Sequence, residues 1–172
     1  EEHGVEHIVR PFAGHKTGMY LDQKPARRRV QQLSTGARVL DLFSYQGGFS
    51  MAALSGGATS VHLVDQSGTA LEIAKETAGQ NGFAQPESIQ GNVFDVIRDL
   101  RSTGQYYDLV IVDSNSIYDL SRADGVQAYL NGGGVFLYYG RPEKRLGTPT
   151  ISWTGVMDLG THIYFSDADR SK

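Results

Sequence analysis

"VLDLFSYQGGFSMAALSGGA", Val39 to Ala58, decides the fold. Its opening residues form a short apolar run suited to a buried strand, Gly47-Gly48 interrupts it, and small residues with a helical pattern follow. A strand feeding a helix through a glycine turn opens an open α/β sheet, in which ligands bind outside the carboxyl ends of the strands.

Outward from that stretch the chain alternates. Strands are predicted at Arg38 to Leu42, Ser60 to Val64, Glu87 to Gln90, Tyr107 to Val112 and Gly134 to Tyr139. Helices are predicted at Phe49 to Leu54, Gly68 to Asn81, Phe94 to Ser102 and Ser121 to Leu130, with an earlier one from Pro25 that ends before Gly36. Alternation of this kind calls for a parallel sheet covered by helices on both faces. Two final apolar runs, Thr150 to Met157 and Thr161 to Phe165, are joined only by Asp158-Leu159-Gly160, which suits an antiparallel hairpin and is too short for a crossover helix. Before Pro25, "GVEHIVRPFAGHKTGMYLDQ" alternates apolar and polar residues as a hairpin or extended arm does. The expected organisation is an arm over residues 1–24 that covers the site and a Rossmann-like domain over 25–172.

At 172 residues and 40% hydrophobic, the chain has the size of one domain. It contains no cysteine, which excludes disulfides, zinc–thiolate sites and cysteine nucleophiles within it. His3, His7, His15, His62 and His162 lack metal-ligand spacing, so no metal is expected. No apolar run reaches the roughly 18 residues of a membrane span, and a cytoplasmic location is expected. The formal charge of −3, from 16 basic and 19 acidic residues, speaks against a nucleic-acid partner. Lys24 with Arg27-Arg28-Arg29 is the one candidate basic patch, and it reads as the solvated start of a helix.

Dinucleotide sites need G-x-G-x-x-G at the first turn so that pyrophosphate can meet bare backbone. Here the turn reads Leu42-Phe43-Ser44-Tyr45-Gln46-Gly47-Gly48, whose Phe43 and Tyr45 would obstruct that approach. A nucleoside with an amino-acid tail has no pyrophosphate to seat, which favours S-adenosylmethionine. Asp65 ends the second strand, where a carboxylate can accept both ribose hydroxyls or cap the next helix. Asn92 follows the third strand, where its side chain can bond an adenine amino group or serve a turn.

Four segments in order, "GHKTGMYLDQ", "VLDLFSYQGGFS", "VDQSGTALEIAKETAGQNG" and "GNVF", resemble the class I S-adenosylmethionine methyltransferases related to the ribosomal RNA large-subunit cytosine-C5 methyltransferase family. The likeness covers about Val5 to Asp113. It implies a mostly parallel Rossmann-like sheet with helices on both faces and a C-terminal antiparallel hairpin. It also implies that Asp41, Phe43, Ser44, Tyr45, Gly47 and Gly48 wrap the methionine, Asp65 and Gln66 the ribose, and Asn92, Val93 and Phe94 the adenine. Lys16, Tyr20, Asp22 and Gln23 would form an arm folding over the cofactor.

The likeness breaks after the fourth strand. Where that family carries D-P-P-[AFY], this chain has Asp113-Ser114-Asn115-Ser116, without the prolines that stiffen the loop. With no cysteine to activate a cytosine either, the acceptor expected is a small molecule, with Asp113, Asn115 and Tyr118 as the catalytic candidates. Ribosomal RNA methylation, non-methylating use of the donor by cyclisation or elimination to release methylthioadenosine, and a non-catalytic binding module are the alternatives.

Overall fold

In the computed structural model, which describes residues 1–10, 19–113, 135–139 and 156–158, six strands form one sheet. They are β1 (Arg38–Leu42), β2 (Ser60–Asp65), β3 (Glu87–Gln90), β4 (Leu109–Asp113), β5 (Val135–Tyr139) and β6 (Val156–Asp158). Their order is β3-β2-β1-β4-β5-β6, and each described pairing is parallel. The helices are α1 (Lys24–Leu33), preceded by a 3-10 turn at Leu21–Gln23, α2 (Gly48–Ser55), α3 (Gly68–Gln80) and α4 (Val93–Ser102). The chain moves outward from β1 to β3 on one side and from β4 to β6 on the other. Strand order therefore reverses between β1 and β4, and the crevice at their carboxyl ends is the place such sheets offer a ligand.

The two-residue period of the strands explains why both faces are covered. Val39 of β1, Val61 and Leu63 of β2, and Leu109 and Ile111 of β4 pack with Phe49, Ala53, Leu71 and Ala74 from the helices of one face. Leu40 and Leu42, Val64, and Val110 and Val112 point the other way, against Val93 and Ile97 of α4. Helix α1 sits against α2 so closely that a Cβ on Gly56 would lie 2.0 Å from the Gln31 carbonyl oxygen.

The first of the two C-terminal apolar runs joins the parallel sheet. Val156–Asp158, from the first of the two C-terminal apolar runs, lies directly beside β5 and parallel to it, with Phe136, Leu137 and Tyr138 opposite Val156, Met157 and Asp158. The stretch 140–155 between the two strands is long enough for a parallel crossover. The other half of the expected hairpin, Thr161 to Phe165, and the expected helix at Ser121 to Leu130 lie outside the described residues.

The described start of the chain is an extended strap across one helical layer. Apart from a single antiparallel bridge between Glu2 and Val5, it has no strand pairing. Val5 is buried against Met51 of α2 and Ala78 of α3. Glu6 and Asn81 exchange hydrogen bonds, 2.8 Å from the Glu6 amide and 2.7 Å back to its carbonyl, and Arg10 pairs with Glu76 of α3.

The Arg27 reading is corrected here. Arg27 is 2% exposed, and its guanidinium forks onto Glu2 with Nε at 2.7 Å and Nη2 at 2.9 Å from the two carboxylate oxygens. Its Nη1 donates to the Tyr20 carbonyl at 2.9 Å. A partner 25 residues away in sequence turned an apparently solvated arginine into the anchor between strap and α1.

Candidate active site

The turn after β1 is built from left-handed backbone at alternate residues. Phe43 (φ 60°), Tyr45 (φ 48°) and Gly47 (φ 71°) are all in that region, which is uncommon for residues with a side chain. Hydrogen bonds hold the shape: the Ser44 amide donates to the Val64 carbonyl at 3.1 Å and the Gly47 amide to the Ser44 carbonyl at 2.8 Å. Gly47 has a second reason to be glycine. A Cβ there would lie 2.9 Å from both Ala74 Cβ and Leu63 Cδ2, so the missing side chain makes room for α3 and β2. Gly47→Ala is expected to cost about 2 kcal/mol from positive φ and overpacking; a denaturant midpoint equal to that of the parent would refute this packing role.

Asp65, at the carboxyl end of β2, ties three strand-end loops together. One carboxylate oxygen accepts from the Tyr45 amide and the other from the Ser67 amide, each at 2.8 Å, and its main-chain carbonyl accepts from the Gly91 amide at 3.0 Å. Two backbone donors fix the orientation of the carboxylate, while each oxygen keeps a lone pair for a further donor. The residue is half-buried, so those lone pairs are reachable. A clamped anion at that position fits a vicinal diol.

Beside it, Phe43 and Phe94 meet edge to face with centroids 6.4 Å apart. Asn92 is exposed, and its side-chain oxygen accepts from the Phe94 amide at 2.9 Å, capping α4. That leaves its amide nitrogen as the group a base could use. Val93 is 1% exposed and belongs to the core under α4, so only its backbone is positioned to meet a ligand. Gln66 is exposed, and its carbonyl accepts from Gln90 at 3.2 Å.

On the other side of the turn, an open cleft is lined by Tyr20 and Gln23 together with Ser44, Tyr45 and Gly48. Of the lining residues that sequence reasoning missed, His7 and Arg27 reach the cleft from elements far from the turn. Asp41 lies fully buried on the α2 face of β1, where it accepts from the Ser50 hydroxyl at 2.6 Å. Asp22 is exposed on the 3-10 turn. The backbone of Asp113 ends β4 in register with Tyr139; Lys16, Asn115 and Tyr118 lie outside the described residues. The structure thus brings part of the expected set together: Asp65, Gln66, Asn92 and Phe94 along the ends of β2 and β3, and Tyr20, Gln23, Ser44, Tyr45 and Gly48 around the cleft, with the Tyr45 amide bonded to Asp65.

Charge at the strap adds a pH dependence. The hydrogen bonds from Arg27 hold the Glu2 carboxyl below its usual range against the opposing effect of burial. Burial holds His7 below its ordinary value, opposed by the nearby Glu2 carboxylate. Both folded pKa values are depressed, so the unfolded chain binds more protons and stability falls as pH falls. The decline is expected to begin near the ordinary histidine value of about 6.5 and to steepen below about 4.5. Urea midpoints measured at pH 7.5 and 5 check it: the lower midpoint belongs at pH 5, and equal midpoints would refute it. Tyr107, whose hydroxyl burial pushes up to about 12, shares a hydrogen bond with His62 at the opposite, amino end of the strands and takes no part in the site.

A family model for S-adenosylmethionine-dependent methyltransferases matches residues 2–129. Ribosomal RNA large subunit methyltransferase I of Serratia proteamaculans is 43% identical over 114 residues, which cover 65% of this chain and 29% of that protein. The enzyme of the same name from Photobacterium profundum is 35% identical over 175 residues, covering 93% of this chain and 41% of its own length. The chain therefore spans well under half of the relatives it matches. Among solved structures, a protein assigned as a methyltransferase and crystallised with SAH superposes with a TM-score of 0.66 at 28% identity, covering 73% of this chain and 37% of its own. A SAM-dependent methyltransferase of Agrobacterium tumefaciens gives 0.61 at 28% identity, covering 66% and 38%. These relatives overturn the expectation of a small-molecule acceptor: the proteins matched at 35–43% identity carry names for ribosomal RNA. Among the described residues, no helix is long and apolar enough to cross a membrane.

Proposed function

The chain belongs to the S-adenosylmethionine-dependent methyltransferase family, and we propose that its acceptor is large-subunit ribosomal RNA. The observation that carries the acceptor is the 35% identity, over 93% of this chain, to a protein named for that reaction. Likeness at that coverage includes the segment after β4, where acceptor contacts are expected. Family membership also favours methyl transfer over cyclisation, elimination or mere binding.

When bound, the donor supplies a methyl group already activated on a sulfonium, so alignment accounts for much of the rate and acid–base help is secondary. In our reading the carboxylate of Asp65 holds the ribose hydroxyls, with Gln66 beside it. Phe43 and Phe94 wall the adenine, and the Asn92 amide meets its edge next to the Val93 backbone. Asp41, Ser44, Tyr45, Gly47 and Gly48 surround the methionine end, and Lys16, Tyr20, Asp22 and Gln23 close over it. Asp113, at the carboxyl end of β4, stands where a group could take or orient the acceptor's proton, and Asn115 and Tyr118 follow it. Methylation at C5 of a cytosine would further need a cysteine nucleophile, which none of these 172 residues supplies.

The test is incubation with methyl-tritiated donor and protein-free large-subunit RNA, followed by nucleoside digestion. Label in one modified nucleoside is the expected result, and its identity separates carbon from heteroatom methylation. RNA without label, alongside methylthioadenosine released from the donor alone, would overturn the proposal.

A further inference from the structure

Five of the described cationic side chains are neutralised within the chain. Arg10 pairs with Glu76, Arg27 with Glu2, Arg38 with Asp108, Lys75 with Glu72 and Arg98 with Asp95. Lys24, Arg28 and Arg29 differ: all three are exposed, all three lie on α1, and none has an acidic partner among the described residues. Arg28 and Arg29 contact only the neutral side chains of Gln31 and Gln32. No acidic residue lies within α1; Asp22 lies on the preceding turn, and Glu2 is taken up by Arg27. In a chain of formal charge −3, this is a concentrated positive face.

Its place matters as much as its charge. Gln23 and Arg27, the immediate neighbours of Lys24 and Arg28, line the cleft beside the glycine turn. Lys24 and Arg28 are four residues apart, so they stand one above the other about 6 Å apart along the axis. Tyr20, 38% exposed, and Leu21, 76% exposed, continue the face toward the arm. Aromatic and apolar surface beside unneutralised cations is the pairing that binds single-stranded nucleic acid, by stacking and by phosphate neutralisation.

We propose that this face of α1, Lys24, Arg28 and Arg29 with Tyr20 at its edge, docks the phosphate backbone of the RNA acceptor and leads the target nucleotide to the cleft. The inference rests on the RNA reading above and deepens it. Each cation acts by releasing counterions from a phosphate, so the face contributes affinity and orientation without reading sequence.

The experiment compares the full chain with K24Q/R28Q/R29Q, using a fluorescent large-subunit ribosomal RNA stem-loop as probe over 50–300 mM KCl. A second variant, K75Q/R98Q, removes charge from other surfaces. The expected result is a log–log salt slope shallower by about 2 and affinity at least about tenfold weaker for the α1 variant, with donor affinity and melting temperature unchanged. The K75Q/R98Q variant keeps the parent's slope. Equal slopes for parent and α1 variant, with RNA bound by both, would overturn the inference and leave the RNA reading standing. Equal loss in the two variants would reduce it to a net-charge effect and overturn it. No RNA binding by the parent would overturn both readings together. Loss of binding to phosphatidylserine vesicles with unchanged RNA binding would assign the face to membranes and also overturn it.

Discussion

Replacing Asp65 by alanine is expected to weaken S-adenosylmethionine binding by about two orders of magnitude. Two charge-assisted hydrogen bonds to ribose hydroxyls would be lost, each worth roughly 1.5 kcal/mol, and about 3 kcal/mol corresponds to that factor. The same substitution releases the Tyr45 and Ser67 amides, so the glycine turn loses its tether to β2. Asp65→Asn separates the two effects. It keeps one acceptor oxygen and presents a donor to the other amide, and its affinity is expected to fall between the parent and Asp65→Ala. Titration calorimetry on all three proteins is the measurement; an Asp65→Ala protein with the parent's affinity would remove the ribose from this site.

Arg27→Ala is expected to cost about 3 kcal/mol of folding stability, because it strands the Glu2 carboxylate among the strap, α1 and α2 without its partner. For a domain of this size, that is a fall in melting temperature of roughly 10 °C. A buried ion pair replaced as a whole behaves differently from one that is broken, so the double substitution Glu2→Leu with Arg27→Met is expected to recover most of the loss. Thermal denaturation of the single and double variants checks both statements. A single variant within 1 kcal/mol of the parent would show that the strap does not depend on this anchor.

Both results turn on how local the sequence signals were. The strands were legible because β1, β2 and β4 are buried on both faces and read as short apolar runs between turn residues; their ends shifted by two residues at most. Asp65 was legible from its place at the end of such a run. Arg27 was not, because its burial depends on Glu2, and nothing in Arg27-Arg28-Arg29 separates the inward side chain from its outward neighbours except the 3.6-residue period of a helix packed on α2. The packing reason for Gly47, room for Ala74 and Leu63, was not legible because those residues lie on later elements of the chain. Val93 followed a similar course, since α4 starts at this residue and turns it into the core.

The acceptor was misjudged for a different reason. Net charge averages the whole chain, and five of the described cations are answered by carboxylates of the same chain. Lys24, Arg28 and Arg29, outside those pairs, share one face of α1, a local concentration that the total of −3 conceals. The altered Asp113-Ser114-Asn115-Ser116 loop pointed toward a new substrate only because it was weighed without the relatives that share the rest of the chain.

The central claim is that the ends of β1, β2 and β3 form a methyl-donor site and not a dinucleotide site. Calorimetric titration of the chain with S-adenosylmethionine, S-adenosylhomocysteine and NAD in parallel tests it most directly. The account predicts one site filled by each of the two adenosyl compounds and no heat of binding for NAD. Binding of NAD, or silence toward both adenosyl compounds from the folded protein, would contradict it.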